Sequence, residues 1–141
     1  EVQSQKSKVK SQKFLKAGKR ALKKAIEKAR LGNYLGEISL AIQKEIEKAG
    51  YFPVRVLTGH GVGKALHEEP AIPCFLMSSR EKTPRLKVGM TLAIEVIYNQ
   101  GSSEVFLTDD GWTIVTKDGK ISGLFEETVA VTENGPLILT Q

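Results

Sequence analysis

Both histidines of the chain lie within eight residues, in Gly59-His60-Gly61-Val62-Gly63-Lys64-Ala65-Leu66-His67-Glu68-Glu69-Pro70. Imidazole is the commonest metal ligand and the usual proton carrier near neutral pH. Glycine on either side of His60 removes side-chain bulk, so a ligand or metal can approach the backbone. The competing reading is two ordinary loop or core histidines, since a metal site needs more than one donor. Carboxylates could supply the others. Glu95 interrupts the apolar run Met90-Thr91-Leu92-Ala93-Ile94-Glu95-Val96-Ile97-Tyr98, where an unpaired charge costs on the order of several kcal/mol. Glu126 and Glu127 follow Leu124-Phe125 and precede a strand-like run from Thr128; adjacent acids at a strand entrance split between core and solvent. One imidazole and two apolar-flanked carboxylates suit Mn, Fe, Co or Zn. The alternative for Glu95 is an edge-strand charge that discourages aggregation.

Several other chemistries are excluded by the letters. His67-Glu68-Glu69-Pro70-Ala71 is not H-E-x-x-H, because Ala71 occupies the second histidine's place. Gly63-Lys64 is followed by Ala65 and lacks the upstream glycine of a phosphate-binding loop, and Gly59-x-Gly61 fails the dinucleotide fingerprint. Cys74 is the single cysteine. It can form no internal disulfide or structural zinc cluster, and reads as a small buried hydrophobe in a reducing cytoplasm.

The elements that must position these residues are of two kinds. Phe14, Leu15, Gly18, Ala21, Leu22, Ala25, Ile26 and Ala29 recur at three- and four-residue steps, which predicts a helix whose small residues allow close packing. Gly32 ends it, and Asn33 is placed to cap the next element. Leu35, Ile38, Ile42, Ile46 and Ala49 mark a second helix stopped at Gly50, and the short link makes the two antiparallel neighbours. Beyond Pro53 the period shortens. Val54–Leu57, Thr91–Tyr98, Ser103–Leu107, Trp112–Thr116 and Thr128–Thr132 read as strands. Asp109-Asp110-Gly111 and Asp118-Gly119 read as turns, the second as a hairpin tip. Two helices followed by an antiparallel sheet give an α+β fold.

At 141 residues the chain suits one domain with a real core, and 40% hydrophobic with 26% charged residues describe an ordinary globular protein. No window reaches the roughly 20 apolar residues of a membrane span, and the start lacks a signal-peptide core. Beginning at Glu1 rather than Met fits a fragment, a processed product or a trimmed chain. The net charge of +5 is uneven, with 11 of the 21 basic residues within the first 30. Such a run is either a footprint for nucleic acid or the ribosome surface, or the solvated face of one helix. Residues 1–11 read as a basic lead-in open to disorder.

The order Gly59-His60-Gly61-Val62-Gly63, His67-Glu68-Glu69-Pro70, Gly89-Met90-Thr91-Leu92-Ala93-Ile94-Glu95, Asp110-Gly111-Trp112-Thr113, Thr116-Lys117-Asp118-Gly119-Lys120 and Phe125-Glu126 followed by Thr128-Val129-Ala130-Val131-Thr132 resembles the type I methionine aminopeptidases. The likeness runs from about Leu22 to the C-terminus. It implies the C-terminal half of a pita-bread fold, in which two pseudo-symmetric α+β halves clasp two divalent metal ions. The family removes the initiator methionine from nascent polypeptides by metal-activated water. By position, His60 and Glu95 would bind one metal and Glu126 would bridge both. His67 would contact substrate at the scissile bond, Glu95 would accept a proton from water, and Trp112 and Leu66 would help line the methionine pocket.

The departures matter. The resemblance implies two aspartates and a further histidine supplied by an N-terminal half, yet the first aspartate here is Asp109, in a turn. Three of five ligands are therefore expected, and the isolated chain should be inactive without its missing half. Leu66 stands where phenylalanine is usual, Glu127 where histidine is usual and Val96 where proline is usual. One rival reading is a non-catalytic pita-bread module that binds protein or RNA, favoured by the basic start but not by retention of His60, His67, Glu95 and Glu126 together. Another is a peptidase of the same fold cutting before proline, which the His-Glu-Glu-Pro element disfavours.

Overall fold

The computed structural model describes residues 2–140, with side chains from Lys10 onward. Helix α1 (Val2–Ile26) and helix α2 (Leu35–Lys48) precede eight strands: β1 (Phe52–Pro53), β2 (Thr58–Gly61), β3 (Glu68–Pro73), β4 (Thr91–Asn99), β5 (Val105–Leu107), β6 (Ile114–Thr116), β7 (Ser122–Thr132) and β8 (Gly135–Ile138). The main sheet is antiparallel throughout, in the order β3-β2-β4-β7-β8, with β1 beside β4. β5 and β6 form a separate two-stranded sheet.

The helices cover one face of this sheet. Leu92, Ile94, Val96 and Tyr98 alternate along β4 and join Phe14, Ala21, Leu22, Ala25, Ile38, Ile42 and Ile46 in one buried core. Because successive strand residues point to opposite faces, Ala93, Glu95 and Ile97 project from the other face. The tightest helix–sheet contact is at Gly18. Tyr98 donates its hydroxyl to the Phe14 carbonyl at 2.6 Å and stacks on the Phe14 ring at 4.4 Å. A Cβ on Gly18 would fall 2.4 Å from the Phe125 ring and 2.6 Å from the Tyr98 hydroxyl.

The structure differs from the sequence reading at several boundaries. α1 starts at Val2, so residues 2–11 are helical and the expected lead-in is continuous with the helix. No glycine or proline interrupts the chain before Gly18, which leaves nothing to break the helix there. Glu1 lies outside the described residues. Leu15, counted with the apolar face, is 47% exposed, and Ala17 is buried instead. α1 ends at Ile26 rather than at Gly32, because Lys28 and Ala29 tighten to three-residue hydrogen bonds. Asn33 does not cap α2. Its side chain donates back to the Lys28 carbonyl, and the N–H groups of Leu35 and Gly36 are taken by Pro84 O and Thr83 Oγ1, which meets the usual need of a helix start.

In the sheet, Val54–Leu57 is a bend between β1 and β2 in which only the Val54 N–H finds a strand partner, Ile97 O at 2.9 Å. The hairpin tip is Asp109-Asp110-Gly111, between β5 and β6, not Asp118-Gly119. The Asp110 carboxylate accepts from Thr108, Trp112 and Thr113 and is held well below the usual carboxylate range by the Thr113 hydroxyl above all. β1, β2, β3 and β8 were not anticipated, and β7 extends six residues further back than the expected Thr128 start.

The contact at Gly18 yields a prediction. Alanine normally stabilises a helix by about 1 kcal/mol over glycine. Here overpacking against Phe125 and the hydrogen-bonded Tyr98 costs about 1–3 kcal/mol, so Gly18→Ala should lower the urea midpoint. A raised midpoint would show that α1 can move off the sheet.

Candidate metal centre

β2 carries His60 into the centre. Its glycines have a different use from the expected one. A Cβ on Gly59 would meet the Ala93 carbonyl of β4 at 2.4 Å, and one on Gly61 the Glu69 carbonyl of β3 at 2.3 Å. The glycines admit neighbouring strands, not a ligand. His60 pairs with Ala93 in register, and its Nδ1 lies 2.7 Å from the Gly61 carbonyl oxygen. A carbonyl only accepts, so the proton sits on Nδ1 and the Nε2 lone pair is free in the neutral ring. Nε2 faces Glu95 Oε1 at 3.6 Å.

Glu95 lies in the middle of β4, with β2 on one side and β7 on the other. The edge-strand alternative is thereby removed. Its register partner is Glu126, which sits inside β7 and is exposed, while Glu127 is half-buried and accepts from the Thr140 hydroxyl. One nitrogen of His60 and one oxygen each of Glu95 and Glu126 all lie within 4.8 Å of one another. Burial, and then the facing Glu126 charge, push the Glu95 carboxyl above its ordinary value, and His60 partly opposes them. Among the described residues, neither glutamate pairs with a lysine or arginine.

This donor set fits a divalent cation. It combines a half-buried imidazole whose far nitrogen is anchored on a backbone carbonyl, the usual arrangement behind a metal-ligating histidine, with two facing carboxylates that lack a counter-charge. His67 is adjacent but outside the trio. It is exposed, and its ring centroid is 4.3 Å from that of His60. Glu68 clamps the loop that presents His67, accepting from the Ala65 N–H at 2.8 Å. Leu66 and Trp112 are 71% and 87% exposed. Trp112 stands at the tip of the β5–β6 sheet, so the structure does not bring it into the trio.

Cys74 has a role that the sequence did not signal. Its buried thiol donates to the Glu95 carbonyl and accepts the Ile97 N–H, both at 3.4 Å, and so closes the β4 backbone on either side of Val96. Burial raises the thiol to about 11, so it stays neutral and able to donate.

Residues 3–133 match the profile of metallopeptidase family M24. The chain belongs to that family. It is 45% identical over 131 residues to the methionine aminopeptidase of Aquifex aeolicus, covering 93% of this chain and 51% of that protein. With methionine aminopeptidase 1 of Bacillus subtilis the identity is 46% over 129 residues, covering 92% and 51%. The crystal structure of the methionine aminopeptidase from Rickettsia prowazekii superimposes with a TM-score of 0.89 at 36% identity, covering 94% of this chain and 53% of that one. The chain thus spans about half the length of the relatives it matches. Two helices on an antiparallel sheet are the architecture of a pita-bread half, and the family is one of metal-dependent peptidases.

The raised Glu95 carboxyl has a stability consequence whose sign is fixed. A carboxyl raised on folding from 4.5 favours the protonated fold, so its contribution is present below the unfolded value and is lost as pH rises through the folded one. Glu95→Gln should therefore raise the thermal midpoint of metal-free protein at pH 7, with little effect at pH 4. Added Mn²⁺ should raise the wild-type midpoint only. A lower midpoint for the metal-free variant at pH 7 would contradict the charge-repulsion account.

Proposed function

We propose that the chain is the C-terminal half of a methionine aminopeptidase, completed by an N-terminal half that brings the remaining ligands, and that it acts on cytoplasmic nascent polypeptides beginning with methionine. The observation that carries this reading is the meeting of His60, Glu95 and Glu126 within 4.8 Å. In this reading His60, Glu95 and Glu126 would supply this half's ligands to two divalent ions drawn from Co, Mn, Fe and Zn. Bound there, they would supply Lewis-acid activation of water and of the peptide carbonyl.

The chain's own side chains do the rest. His60 is fixed in one tautomer by the Gly61 carbonyl, so it presents Nε2 and cannot rotate away without losing that bond. Glu95, half-buried with one carboxylate oxygen 3.6 Å from His60 Nε2, would be placed to take a proton at a carboxylate oxygen and give it to a leaving amine. His67, beside His60, orients the scissile peptide through a ring nitrogen. Leu66 and Trp112, exposed on separate loops, would help line the methionine pocket once the second half is in place. Among the described residues no helix is long and apolar enough to cross a membrane. A non-catalytic module would have no need for an unpaired carboxylate pair beside an oriented imidazole, which leaves that alternative weaker.

The test uses the chain joined with an N-terminal half from a relative, with free methionine measured from a Met-Ala-Ser peptide. The isolated chain should release none and the joined enzyme should. Glu126→Gln in the joined enzyme should cut release more than about 100-fold and lower bound metal by elemental analysis. Retained activity in that variant would remove Glu126 from the centre.

A further inference from the structure

The two sides of β4 are held differently. Toward β7 the pairing is unbroken from Thr91 to Asn99. On the other side β2 pairs only with Leu92 and Ala93, and β1 takes over only at Tyr98 and Asn99. Residues 94–97 have no register partner on that side, and Glu95 lies in this gap. One side chain fills it. Cys74 follows Pro73, the last residue of β3, which pairs with Thr58 at the start of β2. Its Sγ accepts the Ile97 N–H and donates to the Glu95 carbonyl, both at 3.4 Å. A single thiol thus gives β4 the donor and the acceptor that a neighbouring strand would otherwise supply. The Val54 N–H, on the Ile97 carbonyl at 2.9 Å, continues the run toward β1.

Packing alone does not call for these bonds. Cys74 is fully buried within the core, where an apolar side chain of similar size would fill the same space. It would also leave the Ile97 N–H without an acceptor, and a buried unpaired N–H is costly. The backbone so held belongs to Glu95, whose Oε1 lies 3.6 Å from His60 Nε2 and whose carboxylate joins His60 and Glu126 within 4.8 Å. We propose, on the reading of that trio as a cation site, that Cys74 is a positioning residue for it: the thiol fixes the β4 backbone on both sides of Val96, and so sets the affinity of His60, Glu95 and Glu126 for a divalent cation. Without the thiol, the Ile97 N–H is satisfied only if β4 shifts or water enters beside it. Either change moves the Glu95 carboxylate relative to His60 and Glu126.

The experiment is isothermal titration of the purified metal-free chain with Mn²⁺, comparing wild type, C74S and C74V, with circular dichroism as the check on folding. Serine keeps a donor and an acceptor at the position, whereas valine keeps the apolar bulk and loses both. C74V should weaken Mn²⁺ binding by about 10-fold or more, and C74S should stay closer to wild type than to C74V. Exchange of the Ile97 amide with deuterium should be faster in C74V than in the other two. A cysteine that only packs gives the reverse ranking, with valine tolerated and serine damaging. If C74V does not fold, C74A takes its place. Equal Mn²⁺ affinity in wild type and C74V, or weaker binding by C74S than by C74V, would overturn the role of Cys74 and leave the metal centre standing. No Mn²⁺ binding by wild type would overturn both. Methionine release by the joined enzyme is a separate readout, and its absence beside the expected ranking would sink the proposed function alone.

Discussion

Glu95 and Glu126 stand directly opposite each other in the longest strand pairing of the protein, β4 with β7, and much of the remaining structure serves to hold that repulsive pair in place. Like charges facing across an antiparallel pair destabilise it, and burial of Glu95 adds a desolvation cost. Nine consecutive register pairs flank and include the two carboxylates. On the opposite face, Ile94 and Val96 are fully buried against the helices. A one-residue slip would turn Glu95 into the helix-side core and expose those two residues, so the register that creates the repulsion is also the one that hydrophobic burial enforces. The cost is thereby borne by the core and kept available for a cation.

The neighbours of β4 add orientation to this register. β2 lies close enough to place the His60 ring beside Glu95 only because Gly59 and Gly61 have no side chains to meet the Ala93 and Glu69 carbonyls. Where β2 no longer pairs with β4, the Cys74 thiol takes the Glu95 carbonyl and the Ile97 N–H. Both polar groups of the central strand next to the acid are thus satisfied. The imidazole, the acid and the backbone between them form one constrained unit.

The helical layer was legible because its signal is local. Ala21, Ala25, Ile38, Ile42 and Ile46, chosen by period, are all fully buried. Glu95 was legible as a charge in an apolar run, and His60 by its company. Other features depend on chain segments far apart in sequence. Glu126 and Glu127 look like a strand boundary, yet β7 runs through them because β4 supplies nine paired positions. β2 is half glycine, which strand propensity disfavours, and exists because two other strands need that closeness. Val54–Leu57 errs in the other direction, with strand-like residues but no ladder to join. The hydrogen bond that sets the His60 tautomer runs to the next residue's carbonyl and leaves no trace in residue types. The individual ligand roles came from family resemblance, not from pattern.

Among the described residues no lysine or arginine pairs with Glu95 or Glu126, and that absence has a chemical rationale. α1 packs on the face of β4 that carries Ile94 and Val96, while Glu95 projects from the other face. A lysine able to reach Glu95 and Glu126 would neutralise them, relieve their repulsion and fill the place of a cation, with an ammonium that coordinates nothing. Its attraction to a half-buried carboxylate pair would be substantial at the lowered effective dielectric of such a site. With 21 basic residues in the chain, none of those described takes that position. With α1 packed on the Ile94 and Val96 face of β4, no lysine among the described residues pairs with Glu95 or Glu126, and the donor trio stays open.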